Sequence, residues 1–233
     1  MTGTDRPTEP PRDPEARGLR LVPVLLALTA MSGLIDAVTY LGLGHVFTAN
    51  MTGNVVVLGF AAAGAPGFSV PHTATSLLCF LVGATTGGRV TRQVGSASRR
   101  TLARMTLGVE ALLLAAAAAV AAATPDDAPA TVYTIIALTA FAMGLRNATV
   151  RKLAVRGLPT TTVVTMTLTG LAADSWAGDG TRRRSPRRAA AVTAMFAGAF
   201  LGAVLVLHHD LAIPLLLAAA TPAVLACTVS GRE

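Results

Sequence analysis

Charged residues are scarce in this chain: Asp, Glu, Lys and Arg make up 13% of its 233 residues, about half the share of a soluble domain. With a mean hydropathy of +0.59, that scarcity excludes a conventional water-soluble fold. Aromatic residues are only 4%, so the apolar content is carried by Ala, Leu and Val rather than by a Phe- and Trp-rich core. The net charge of +7 does not indicate nucleic acid, because no basic stripe is interleaved with stacking aromatics. Cysteine is limited to Cys79 and Cys227, each inside an apolar run. Neither a CxxC pair nor a Cys/His cluster is present, so neither a disulfide framework nor a zinc site is suggested, and no metal or cofactor is expected. There is no GxSxG, HExxH or P-loop, and enzymatic activity is not expected.

What the chain does have is long apolar runs separated by arginine. A spanning helix needs about 20 apolar residues, and six stretches qualify: 19–43, 71–88, 102–124, 130–150, 189–207 and 211–229. Two further pieces, 48–63 and 160–173, are short and polar at their start, with Asn and Thr ahead of the apolar part as helix caps. Residues 1–18 are Pro-rich and charged and read as a disordered cytoplasmic tail. The run from 19 to 43 is too long for the core of a signal peptide, and reads as a retained helix. Basic residues cluster at Arg6–Arg20, at Arg89–Arg104, at Arg146–Arg156 and at Arg182–Arg188, while 64–70, Asp126–Asp127 and His208–Asp210 carry neither Lys nor Arg. Cytoplasmic loops collect Lys and Arg. All four clusters fall on one side only if both short pieces enter and return on the same face. The expected fold is therefore an all-α polytopic membrane protein, with six transmembrane helices and two re-entrant helices. Both termini are cytoplasmic, and 19–229 forms a single membrane domain.

The chain also repeats itself. ALTAMSGLIDA from Ala27 resembles ALTAFAMGLRNA from Ala137, placing Gly33 and Asp36 opposite Gly144 and Asn147. TANMTGN from Thr48 resembles TMTLTGL from Thr165, and VGATTGG from Val82 resembles AGAFLGA from Ala197. The charge pattern starts one unit (about 19–124) inside and the other (about 130–229) outside. That makes them inverted repeats, an arrangement of transporters whose sites lie at the repeat interface. Gly83/Gly87 and Gly198/Gly202 then read as close helix contacts between the two halves, not as a dimer face.

The stretch GLIDAVTYLGLGHVFTANMTGN organises the rest. It buries Asp36 in an apolar span, breaks at Gly42 and Gly44, and runs through Thr48, Asn50, Thr52, Gly53 and Asn54. At Gly33, Asp36, Phe47, Asn50, Thr52, Gly53 and Asn54 it resembles the YoaK-like family of uncharacterised bacterial integral membrane proteins, over nearly the whole chain after residue 18. The resemblance implies the bacterial cytoplasmic membrane and a transporter-like fold, not a reaction.

Ionisable groups at membrane depth are costly and mark functional sites by default. Asp36 sits about 24 Å along its helix, in the outer third of the bilayer. It is expected to accept hydrogen bonds from the start of a half-helix over 52–59, as a structural cap or beside a substrate path. Glu110 lies near mid-membrane, at a depth from which it can pair with Arg146; Asp36 and Arg146 are at different depths and are not expected to pair. Glu110 reads either as a hydrogen-bonding partner of a neighbouring helix or as a proton-coupling group. Asn50, Thr52, Asn54, Thr165, Thr167 and Thr169 supply neutral donors and acceptors suited to a small polar solute or an ion, and threonine is also an ordinary helix-packing residue in lipid. His45, His208, His209 and Asp210 read as exposed outer-loop residues rather than a metal or pH-sensing patch. The expected function is a channel or secondary transporter for a small solute or ion, lined by Asp36, 50–54, Glu110 and 165–170. The expected partners are the lipid bilayer, that solute and no nucleic acid, and the sequence is compatible with an oligomer. The rival reading is a non-transporting scaffold or accessory subunit, whose polar groups only satisfy broken backbone.

Overall fold

The computed structural model describes residues 21–93, 99–125, 128–153, 164–174 and 185–228. The tail at 1–18, the Asp126–Asp127 turn, the start of the second short piece and Arg182–Arg184 lie outside these residues. Within them the regular structure is all helical: α1 (Leu21–Gly42), α2 (Met51–Ala62), α3 (Val70–Gln93), α4 (Arg99–Ala123), α5 (Pro129–Leu153), α6 (Val164–Ala173), α7 (Ser185–His208) and α8 (Ala212–Thr228).

Four helices are long and apolar enough to cross a membrane: Val22–Gly42, Thr101–Ala123, Pro129–Arg151 and Pro186–His208. The other two expected spans fall short for different reasons. α3 is 24 residues long but carries His72, Thr73, Thr75, Ser76, Thr85, Thr86, Arg89 and Arg92, which dilute its hydropathy. α8 is strongly apolar but has 17 residues, the lower limit for a span. The two short pieces form helices of 12 and 10 residues, about 18 and 15 Å long.

The core is built by α1, α4, α5 and α8. Leu28, Met31, Ile35 and Val38 of α1 meet Ile135, Ile136 and Met143 of α5, Leu107 and Leu114 of α4, and Leu215 of α8 in one buried cluster. The alanine-rich half of α4 lies against α8, with Ala117, Ala118 and Ala121 buried; side chains this thin let the two helices approach closely. Around this core the outward faces are apolar. Leu78, Leu81 and Val82 of α3, Leu112 of α4, Phe196, Phe200 and Leu207 of α7 and Val224 of α8 are all exposed. Phe196 and Leu207, at 71% exposure, would be a large aggregation-prone patch in water, whereas a lipid-facing surface requires them.

α7 lies along α1 and α3 along α5, and glycines set both crossings. A Cβ on Gly198 would fall on the Ala30 carbonyl, and one on Gly33 on the Met195 carbonyl. Across the other crossing, Gly83 faces the Phe141 carbonyl and Gly144 the Phe80 carbonyl. One turn on, Cβ atoms at Gly202 and Gly87 would stand 2.6 and 2.8 Å from the carbonyl oxygens of Leu34 and Leu145. The adjacent Gly88 has open space where its Cβ would be. Gly87→Ala should therefore force α3 from α5 and lower the folded, monodisperse fraction in size-exclusion chromatography. Gly88→Ala should gain about 0.5–1 kcal/mol from helix propensity and raise the melting midpoint. Equal tolerance of the two would show that the α3–α5 crossing is not close-packed.

Candidate functional site

α1 stops because Gly44 and His45 adopt left-handed backbone, with φ of 82° and 62°. The Leu43 and His45 amides close the last turn onto the carbonyls of Thr39 and Tyr40. His45, an unusual residue at positive φ, is fixed by its Nδ1, 2.9 Å from the Gly67 carbonyl, and by ring contacts with Tyr40 and Phe68. Residues 46–49 then run through the protein with buried Val46, Thr48 and Ala49, and α2 starts at Met51, capped by the Asn50 side chain on the Gly53 amide at 3.3 Å.

Three side chains hold this irregular segment. Asp36 Oδ1 accepts the consecutive backbone N–H groups of Thr48, Ala49 and Asn50 at 3.0, 2.7 and 3.4 Å. Successive amides pointing into one concavity make an anion-binding nest; here the anion is supplied by the chain itself. The expectation placed the donors on the half-helix at 52–59, and the structure moves them to the approach and cap. The first-turn amide of Gly53 is already taken by Asn50, leaving the outer amides at 48–50 to Asp36. On the other side, the fully buried Asn54 reads the Phe47 peptide at both ends. Its Oδ1 accepts the Phe47 N–H at 2.9 Å, and its Nδ2 donates to the Phe47 carbonyl at 2.6 Å. Ser76 of α3 donates to the same carbonyl at 2.6 Å and accepts from Asn54 at 3.0 Å. Gly53 leaves room for the Phe47 ring, which a Cβ would meet at 2.7 Å and which stacks on Tyr40 at 4.7 Å.

Asn50 and Thr52, in contrast, are exposed. Thr167 is buried on α6, while Thr165 and Thr169 are exposed and Thr169 Oγ1 donates back to the Thr165 carbonyl at 2.9 Å. α6 packs on α7 and α2 on α3, so the two polar strings sit against different helices. Gly170 lies against the Arg188 guanidinium, which pairs with Asp174. Asn147, the sequence counterpart of Asp36, is half-buried on α5.

The second polar group lies at the α1–α4–α5 junction. Arg146 Nη1 is 3.1 Å from Glu110 Oε1, with both side chains at most 2% exposed. Its Nη2 donates to Ser32 Oγ at 2.6 Å. Arg146 therefore belongs to the core and not to the loop charges with which its position in the sequence groups it. Asp36 is one turn beyond Ser32 on α1, yet its hydrogen bonds go to backbone rather than to Arg146.

Ser32 and Ser76 are not among the residues that the sequence singles out. Ser32 carried a signal, since it precedes Asp36 by one helical turn on the same face. Ser76 was visible only as a polar residue inside an apolar run.

The family described as "Protein of unknown function (DUF1275)" matches residues 24–228. The UPF0700 transmembrane protein YoaK of Bacillus subtilis (strain 168) is 36% identical over 156 residues, 64% of this chain and 64% of that protein. The match thus spans less than two thirds of the relative. No solved structure matches.

Asn54→Ala strands the Phe47 N–H and leaves Ser76 with the Phe47 carbonyl but no donor. It should cost about 1–3 kcal/mol for each buried group left unpaired, while Thr52→Ala should be near neutral by thermal unfolding. Arg146→Met leaves Glu110 buried without its counter-charge and should cost about 3–5 kcal/mol. Adding Glu110→Gln should recover part of that loss. A double variant less stable than Arg146→Met alone would contradict a charge role for the pair.

Proposed function

This chain belongs to the family described as Protein of unknown function (DUF1275), and we propose that it is a channel or secondary transporter for a small polar solute or ion. The architecture we propose is six spans, α1, α3, α4, α5, α7 and α8, with α2 and α6 as half-membrane helices. It lies in the bacterial cytoplasmic membrane with both termini cytoplasmic.

The observation that carries this reading is the break at 43–50. A 12-residue helix cannot cross a hydrocarbon core of about 30 Å. Irregular backbone at membrane depth is tolerated only when buried in protein or lining a water-filled cavity. Here the inner side of the break is buried on Asp36 and Asn54, while Asn50 and Thr52 at the start of α2 are exposed. That leaves neutral oxygen and amide groups facing outward from a helix N-terminus, the donor set of a solute path.

The inverted-repeat arrangement has its own support in how the helices pair. If α1–α4 and α5–α8 are related by a two-fold axis, α1 on α7 corresponds to α5 on α3, and α4 on α8 corresponds to itself. Those are the pairings found. The glycine crossings correspond residue for residue: Gly33 with Gly144, Gly83 with Gly198 and Gly87 with Gly202, each meeting the carbonyl of a corresponding residue. Charge supports the orientation, because Arg92 ends α3, Arg151 lies near the end of α5, and Arg187 and Arg188 begin α7.

One observation favours the scaffold reading: the Asn54 amide is spent on Phe47 and Ser76, which is structural repair rather than solute binding. The two readings separate by access. With Cys79 and Cys227 replaced by Ala, cysteines at Asn50 and Thr52 should react with a membrane-impermeant maleimide from one side of a sealed membrane. A cysteine at Asn54 should react slowly. Protection of positions 50 and 52 from both sides would reject a solute path and leave the scaffold.

A further inference from the structure

The buried charges do not balance. Asp36 on α1, Glu110 on α4 and Arg146 on α5 are at most 5% exposed, so two carboxylates share one guanidinium. Arg146 commits Nη1 to Glu110 Oε1 and Nη2 to Ser32 Oγ. Asp36 Oδ1 is held by three amides, but Asp36 Oδ2 and Glu110 Oε2 are buried without a hydrogen bond.

Among the side chains that are described, the surrounding helices do not supply the missing positive charge. Arg104 of α4, Arg151 of α5, Arg89 and Arg92 of α3, Arg187 and His208 of α7 and Cys227 of α8 are exposed. Arg188 of α7 is engaged by Asp174. Half-buried His72 and Cys79 of α3, Tyr40 of α1 and Tyr133 of α5 are the other titratable groups whose side chains are described on those helices. His72 lies edge-on to Tyr133 at 4.8 Å. Isolated buried charge is too costly to stand uncompensated.

We propose that the Asp36–Glu110–Arg146 group is a binding site for a single positive charge, a proton or a small monovalent cation, taken up at the free oxygen of one of its two carboxylates. Arg146 neutralises one acid and the bound charge neutralises the other. The site is independent of whether the protein moves a solute.

The test is thermal unfolding of the full-length protein in lipid nanodiscs, followed by helical circular dichroism. It is run across about pH 5.5–8.5 in N-methylglucamine, sodium or potassium chloride at equal ionic strength. A bound proton is absent from the unfolded chain, whose carboxylates are ionised in this range, so stability falls as pH rises. The midpoint should then drop by about 3–5 °C per pH unit in every salt. A bound cation should instead raise the midpoint by about 3–5 °C per tenfold increase in sodium or potassium above its dissociation constant. Either result supports the site if Glu110→Gln, which balances the charges, abolishes the dependence.

Asp36→Asn, which keeps an acceptor for the loop amides, serves as the second variant. Should neither variant accumulate, an infrared carboxylic-acid band in the wild type that disappears with rising pH, or a saturable sodium or potassium shift, supports the site. A wild type indifferent to both pH and cation, or the same dependence in Glu110→Gln or Asp36→Asn, overturns it.

Discussion

One carboxylate oxygen holds three consecutive backbone amides, and the rest of the structure is arranged around that contact. Asp36 Oδ1 receives Thr48, Ala49 and Asn50 within 3.4 Å at the point where α1 has ended and α2 has not begun. In an apolar surrounding each unsatisfied backbone group costs several kcal/mol. Burying one carboxylate costs a comparable amount, so three stranded amides outweigh it. The acid is the less expensive way to keep a broken chain inside the fold. Asn54 completes the arrangement from α2, mimicking a peptide to satisfy Phe47, and Ser76 ties the result to α3.

Such a break is useful only if the surrounding helices are rigid, and the glycine crossings provide that rigidity. Four glycines bring helix backbone onto helix backbone at the α1–α7 and α3–α5 crossings, with two more a turn along. Hydrophobic burial cannot drive helix association in lipid as it does in water, so close backbone approach takes over that role. The three charged groups lie inside the same frame, on α1, α4 and α5. Arg146 links all three helices through Glu110 and Ser32.

Much of this was legible in the sequence, and the limits have physical causes. Apolar run lengths and capping residues locate the eight helices of the described residues, because propensity and caps act locally. Helix rise alone puts Glu110 and Arg146 at compatible depths, and no knowledge of which helices touch was needed to expect their pairing. Depth does not say which donors point at a side chain. Sequence alone therefore directs Asp36 to amides at 52–59, whereas the local competition of Asn50 for Gly53 hands it 48–50. The two serines stayed hidden for a related reason, since Ser76 matters only through Phe47, 29 residues away. That α2 and α6, which carry the 50–54 and 165–170 strings, each pack on the helix that follows them is likewise not visible in sequence pattern.

The claim that Asp36 anchors the broken segment is tested most directly by amide hydrogen exchange at residues 48–50 in the lipid-embedded protein. In the wild type these three amides should exchange as slowly as those of the buried turns of α1. Asp36→Ala should accelerate them selectively, while α4 and α5 keep their protection. Fast exchange at 48–50 in the wild type, or unchanged slow exchange in Asp36→Ala, would contradict the account.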